Sequence, residues 1–316
     1  MKSKRKKYIS IDKRFLTEGH TVNFEVYETN KEKNAMTLFL QSDSLVDGNN
    51  KVRLREIEKL YITEDSYREY EEYVNGHLQS IAKSSNIPLN EKVTIVYENA
   101  TRILDDMFEN PESLENLKKS KEVVGGFIET ILSDSTALTS LMKITAHDYY
   151  THTHSINVGI YSLCLGKYLG VSGQELENLG TAALLHDIGK SKIDAEIINK
   201  NGSLTEDEFA TMKHHSALGY EIAKKIGIED RDILSGIRHH HEKQDGYGYP
   251  DGIEGDNLSN FARIIGVCDV FDALTTKRSY KDPFSSFEAL SLMKKQMSTH
   301  LDMELVNSFV KMLQKT

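Results

Sequence analysis

The chain has 316 residues, 39% hydrophobic and 28% charged, with a net charge of −9. That length accommodates one large domain and a smaller one, and the composition is that of a globular protein. The acidic balance argues against the broad basic surface of a nucleic-acid polymer binder, and no apolar run approaches the 18 residues of a membrane span.

The basic start, MKSKRKK, is followed by no apolar stretch, so it reads as a loose solvated tail and not a secretory signal. Residues 20–62 read as β-rich. HTVNFEVYE and NAMTLFLQS run apolar at strand length, VDGNN marks a turn, and KVRLREIEKLYI supplies another strand or two. A helical pattern begins at TEDSYREYEEYVNGHLQSIA, with Thr63 as its expected N-cap. A second helix is expected over about 90–108. A third opens at Asn110-Pro111, with Pro111 at its first helical position.

Beyond about residue 120 no strand is predicted. Ser172 with Glu175, Thr205 with Glu208 and Ser285 with Glu288 match capping boxes. Leu176, Leu179, Ala183 and His186 share one helix face. The expected fold class is α+β: a β-rich module over 1–63, a helical connector over 64–124 and an all-α domain over 125–316. Cys164 and Cys268 are the only cysteines, each among apolar neighbours. Two buried free thiols point to a reducing compartment, the cytoplasm, with no disulfide framework.

Nine of the 12 histidines fall between 147 and 241. A single histidine is usually a surface or satisfied core residue; the question is whether several converge. In AALLHDIGKSKI an apolar helix face runs into His186-Asp187, where a helix end can aim an imidazole and a carboxylate at one point. His154 opens an apolar helix, while His152 points elsewhere. His214 and His215 precede a helix whose buried face is Leu218, Ile222 and Ile226. His239, His240, His241 and Glu242 end DILSGIR. Asp269 and Asp272 interrupt a buried helix, where a carboxylate is costly unless paired or metal-bound. Together these segments offer the imidazole and carboxylate donors of a two-metal site.

The order His154, His186-Asp187, His215, His240-His241, DGYGYP, Asp269 resembles the HD-GYP family, a branch of the HD-domain metal-dependent phosphohydrolases. LLHDIGK, LTEDEFATMKHHSALG, HHEKQDGYGYP and DVFDALTTKRSY stand in that family's order, over about 125–316. The resemblance implies a helical domain that hydrolyses cyclic di-GMP, a bacterial second messenger, to pGpG and onward to GMP. It implies two divalent metal ions, iron or manganese, on His154, His186, Asp187, His215, His240, His241 and Asp269, with Asp187 bridging. His152, His214 and His239 are then not ligands. Such a set suits hydrolysis by a metal-activated hydroxide attacking phosphorus in line, with no nucleophilic side chain.

Lys190 matches the lysine after the HD pair and, with Arg278, is expected near a phosphate. Gly248, Tyr249 and Pro250 are expected on the substrate side of the loop; Tyr247 holds a variable position and takes no role. Asp272 is expected to support the site from behind the ligands. Where some members carry a glutamate four residues before the first histidine, Tyr150 stands here. That departure predicts two metals and slow passage from pGpG to GMP. The other readings are a cyclic di-GMP sensor or docking module with little turnover, and a phosphodiesterase for another cyclic dinucleotide. A homodimer and a signalling partner on the GYP loop are the expected protein contacts.

Overall fold

The computed structural model describes residues 6–30, 35–85, 87–133, 136–137, 139–141, 151–276 and 282–315. The chain divides into two compact units, Met1–Ile81 and Ala82–Thr316.

The first unit carries an antiparallel sheet of β1 (Tyr8–Ile11), β6 (Leu60–Thr63), β3 (Val26–Asn30) and β4 (Ala35–Leu40), in that spatial order. The short strands β2 (Thr21–Val22) and β5 (Ser44–Leu45) form a separate pair. Val22, Phe24, Val26, Leu60 and Ile62 are buried here, as are Tyr70, Tyr73, Val74 and Leu78 of helix α2 (Tyr67–Lys83). Those four α2 positions recur in steps of three and four, which makes one apolar stripe. Phe24 meets Tyr70 and Tyr73 edge-on, with centroids at 5.7 and 5.6 Å.

Three local expectations change in this unit. VDGNN is a helix start: Asp47 accepts from the Asn50 amide and Asn50 accepts from the Asp47 amide, a reciprocal box that opens α1 (Gly48–Glu56). Residues 51–56 are therefore helical, and only Leu60–Thr63 forms a strand. The sequence marks no strand before residue 20, yet β1 starts at Tyr8 and pairs along β6; residues 1–5 of the basic start lie outside the described residues. Thr63 caps a 3₁₀ turn, Glu64–Ser66, and its hydroxyl meets Ser66 Oγ at 3.0 Å without capping a backbone amide.

The second unit carries helices and loops and no strand among its described residues. Helices α3 (Leu89–Glu109) and α4 (Leu114–Ser133), expected as a connector, pack on each other and on α5 (Thr151–Tyr168); α4 also packs on α6 (Gly173–Leu185). Pro111 lies in the turn before α4, where the Ser113 hydroxyl takes the Asn116 amide and supplies the cap. The chain continues through α7 (Ala195–Ile198), α8 (Glu206–Lys225), α9 (Arg231–His239), α10 (Asn260–Thr275), α11 (Ser286–Gln296) and α12 (Met303–Leu313).

Both Thr205 and Ser285 make their predicted capping boxes, whereas Ser172 makes no side-chain cap bond. Helix α5 is buried on every side from His154 to Gly166, which explains why its apolar residues are not confined to one face. It lies against α6 and α10, and the rings of Tyr161, Phe271 and Phe309 interlock edge-on beside it. Cys164 and Cys268 are buried and free.

Candidate metal centre

Five segments deliver their polar side chains to one place. His154 comes from the first turn of α5, and His186 is the C-cap of α6. Asp187 caps the 3₁₀ turn Ile188–Lys192 that follows. His215 lies mid-way along α8, not before it as the sequence suggested, because the Thr205 box starts that helix ten residues earlier. Leu218 on the same helix is half-buried, while Ile222 and Ile226 are buried as expected. His240 is the C-cap of α9, with His241 next, and Asp269 sits on α10.

Gly189 makes this convergence possible. A Cβ there would lie 1.9 Å from the His215 carbonyl oxygen and 2.5 Å from the Gly219 amide, so only glycine lets the turn rest on α8.

The seven residues form two groups, Asp187, His215, His240 and His241, and His154, His186 and Asp269; within each, the donor atoms lie within 4.8 Å of one another. Asp187 faces both. Its Oδ1 is 3.3 Å from His215 Nε2, and its Oδ2 is 3.4 Å from His186 Nε2 and 3.6 Å from His154 Nε2. Asp269 likewise sets Oδ1 3.0 Å from His154 Nε2 and Oδ2 3.6 Å from His241 Nδ1.

The far ring nitrogens are anchored. Nδ1 of His186, His215 and His240 meets the carbonyls of Ala183, Met212 and Ile237 at 2.7, 2.7 and 2.8 Å. Nδ1 of His154 meets Asp272 Oδ2 at 2.7 Å. A carbonyl can only accept, so each of the first three Nδ1 atoms carries the proton and each Nε2 presents a lone pair to the centre.

Burial pulls the His215 imidazole down to about 3 and that of His241 to about 4, and holds His186 and His240 below the ordinary value too. Burial opposes ionisation of both carboxyls, yet they stay low. Lys190 and the surrounding imidazoles keep Asp187 well below the carboxylate range, and the hydrogen bond from His154, helped by the His241 imidazole, does the same for Asp269. These four imidazoles are therefore neutral and both carboxylates anionic at neutral pH, the forms that bind metal.

The protein leaves part of this set unsatisfied. His186 Nε2 and Asp187 Oδ1 are buried and make no hydrogen bond. A buried polar atom without a partner costs about 1–3 kcal/mol, and divalent cations at the two groups would satisfy both atoms. The residues fit the ions that the sequence predicts.

Around the centre, Lys190 donates to Asp187 Oδ2, which puts its ammonium at the carboxylate the two groups share. Tyr249 lies against the His241 ring, centroids 4.8 Å apart, and burial raises its phenol above the ordinary value. A cis peptide bond joins it to half-buried Pro250. The two loop glycines divide the work. Gly246 has φ +75°, and a Cβ on Gly248 would fall 2.3 Å from Glu242 Cα. Tyr247 is 84% exposed. His239 pairs with Asp251 at 2.9 Å and His214 is exposed, so neither joins the groups. Arg278, Tyr150 and the His152 side chain lie outside the described residues.

Two contributions escaped the sequence reading. Glu242 is buried and accepts from the amides of Asp251, Gly252 and Ile253 at 2.7, 3.0 and 3.2 Å, which fixes the loop exit. Asn157 donates to Asp272 Oδ1 at 2.9 Å, behind His154. A signal for the second was present: Asn157 stands three residues after His154, on the same helix face.

Residues 128–305 match the family described as HD domain. Cyclic di-GMP phosphodiesterase PA4108 of Pseudomonas aeruginosa is 33% identical over 61% of this chain and 46% of its own length. The 3'3'-cGAMP-specific phosphodiesterase 3 of Vibrio cholerae is 31% identical over 77% of this chain and 53% of its own. The chain thus spans about half the length of these curated relatives. Among solved structures, Bd1817, a HDG"Y"P protein from Bdellovibrio bacteriovorus, shares the fold with a TM-score of 0.68. That match is at 22% identity and covers 98% of this chain and 100% of that one. The chain belongs to the HD-domain family. No helix among the described residues is long and apolar enough to cross a membrane.

Proposed function

We propose that the chain is a metal-dependent phosphodiesterase that opens cyclic di-GMP to pGpG and passes only slowly to GMP. The observation that carries this reading is the pair of buried donor groups meeting at Asp187, with His186 Nε2 and Asp187 Oδ1 left without hydrogen bonds. His215, His240 and His241 would hold one divalent cation, His154, His186 and Asp269 the other, with Asp187 between them. Such a pair supplies a hydroxide at neutral pH and charge neutralisation at phosphorus. Asp187 and Asp269 keep the donor groups in register, and their carbonyl-anchored imidazole neighbours need no reorientation.

Lys190 places a positive charge beside the shared carboxylate, where a non-bridging phosphate oxygen can meet it. Gly248, Tyr249 and Pro250 form the substrate-side wall, and the HD-GYP resemblance assigns Arg278, outside the described residues, to the same phosphate. The donors are imidazole and carboxylate with no thiolate, which suits iron or manganese. The reading takes in a cytoplasmic setting, in keeping with two free thiols, a homodimer, and a signalling partner on the loop that exposes Tyr247.

The test is turnover of cyclic di-GMP by protein loaded anaerobically with Fe(II) or Mn(II), with products separated by chromatography. Hydrolysis to pGpG, abolished in His186→Ala and Asp187→Ala, is expected. Binding of cyclic di-GMP without product at full metal occupancy would leave a sensor. Rapid complete conversion to GMP would overturn the product assignment. The Vibrio cholerae relative is named for 3'3'-cGAMP, so that dinucleotide is the second candidate substrate. A higher kcat/KM for it than for cyclic di-GMP would select it.

A further inference from the structure

Asp272 is fully buried and is no ligand of either group, yet three side chains converge on it. His154 Nδ1 meets its Oδ2 at 2.7 Å, and its Oδ1 accepts from Asn157 Nδ2 and Thr276 Oγ1, both at 2.9 Å. Asn157, also fully buried, has its amide oxygen engaged by the phenol of Tyr97 at 3.3 Å. Tyr97 is half-buried on α3 and lies outside residues 128–305.

A continuous polar path therefore runs from α3 through Asn157 and Asp272 to His154. Its directions are fixed by chemistry. Asp272 as a carboxylate can only accept, so Asn157 must turn its NH₂ toward it and its oxygen away. The Tyr97 hydroxyl is the donor that rewards this orientation. Without it the amide oxygen is buried and unpaired, and an amide flip would set that oxygen against the carboxylate. Either outcome weakens the group that orients His154.

We propose that Tyr97 is a positioning residue for the metal centre, acting through Asn157 and Asp272 to hold His154 in its ligand orientation. This rests on the metal-centre reading above. The effect is selective: His154 belongs to the group with His186 and Asp269, so the ion held there is the one Tyr97 controls. Groups that touch a ligand directly typically change metal affinity about 10- to 100-fold; Tyr97 stands three contacts from His154, with Asn157 and Asp272 between, so about 3- to 10-fold is expected.

The test titrates metal-depleted full-length protein with Mn(II), following bound and free ion by electron paramagnetic resonance. Wild type should bind in two steps, with one step lost in His154→Ala. In Tyr97→Phe, which keeps the ring, that same step should weaken about 3- to 10-fold while the other is unchanged. In an Asn157→Ala background Tyr97→Phe should add nothing further. Equal affinities in Tyr97→Phe and wild type, equal weakening of both steps, or an additive loss in the double variant would each overturn the path with the metal centre intact. A wild type that binds no ion would overturn the metal centre itself, and the path with it.

Discussion

Glu242 offers a sharp test of how the GYP loop is held, because its role does not depend on any metal. Its carboxylate takes three backbone amides, two on Oε1 and one on Oε2. Hydrogen bonds to a charged group contribute about 1.5–3 kcal/mol each. Asp251 and Gly252 are exposed, so water can replace part of what they lose. The Asp251 side chain also stays held by Arg238, at 2.8 and 2.9 Å, and by His239. Glu242→Ala should therefore cost about 3 kcal/mol, less than the sum of three bonds.

At about 1.4 kcal/mol per decade, that is roughly a hundredfold loss of amide-exchange protection at 251–253. Glu242→Gln keeps an acceptor for two amides and turns an NH₂ on the third, so about 1 kcal/mol is expected. Tyr249 should loosen from His241 in step. Hydrogen exchange with fragment resolution, on metal-depleted protein, is the assay. Unchanged protection at 251–253 in Glu242→Ala, with the remaining amides also unchanged, would refute the latch.

Three further outcomes are expected of this metal centre. Gly189→Ala should destabilise the protein by about 3 kcal/mol and abolish metal binding, since its Cβ would meet the His215 carbonyl and the chain cannot give way cheaply there; a urea midpoint and metal content equal to wild type would contradict this. Asp187→Asn should lose both ions together, because each group meets that carboxylate, and should abolish the rise in Tm on adding Mn(II); retention of one tight ion would show that Asp187 serves a single site.

The metal-depleted protein should lose stability as pH falls below about 6.5. The unfolded imidazoles take up protons there, whereas His241 stays neutral to about 4 and His215 to about 3. Each contributes a slope of about 1.4 kcal/mol per pH unit over that window. The depressed Asp187 and Asp269 add loss below their unfolded values, with the same sign. A stability flat from pH 7 to 5 would argue against buried neutral histidines.

Much of the centre was legible in the sequence because its residues sit at helix ends and interrupt apolar faces. His186-Asp187 ends an apolar run, His240-His241 ends α9, and Asp269 breaks a buried helix, so chemistry stood out against packing. The seven donors that the HD-GYP resemblance implies lie together in two groups. The helical periodicity and two of three capping boxes were equally local signals. Local signals failed where two readings share one pattern. VDGNN suits a turn or a helix start, and the reciprocal bonds of Asp47 and Asn50 chose the helix. The placement of α3 and α4 was not local either, because their partners α5 and α6 lie tens of residues away in the chain.

Tertiary structure alone decided which atoms meet. The two-way split of the donors about Asp187, the anchoring of three Nδ1 atoms on carbonyls and the glycine contact under His215 depend on helices brought together by burial. So do the three amides on Glu242 and the path from Tyr97 to His154. A sequence specifies residue types and spacing along one helix; distances between helices are set by how their apolar faces pack. That is why the kinds of donor could be read in advance and their geometry could not.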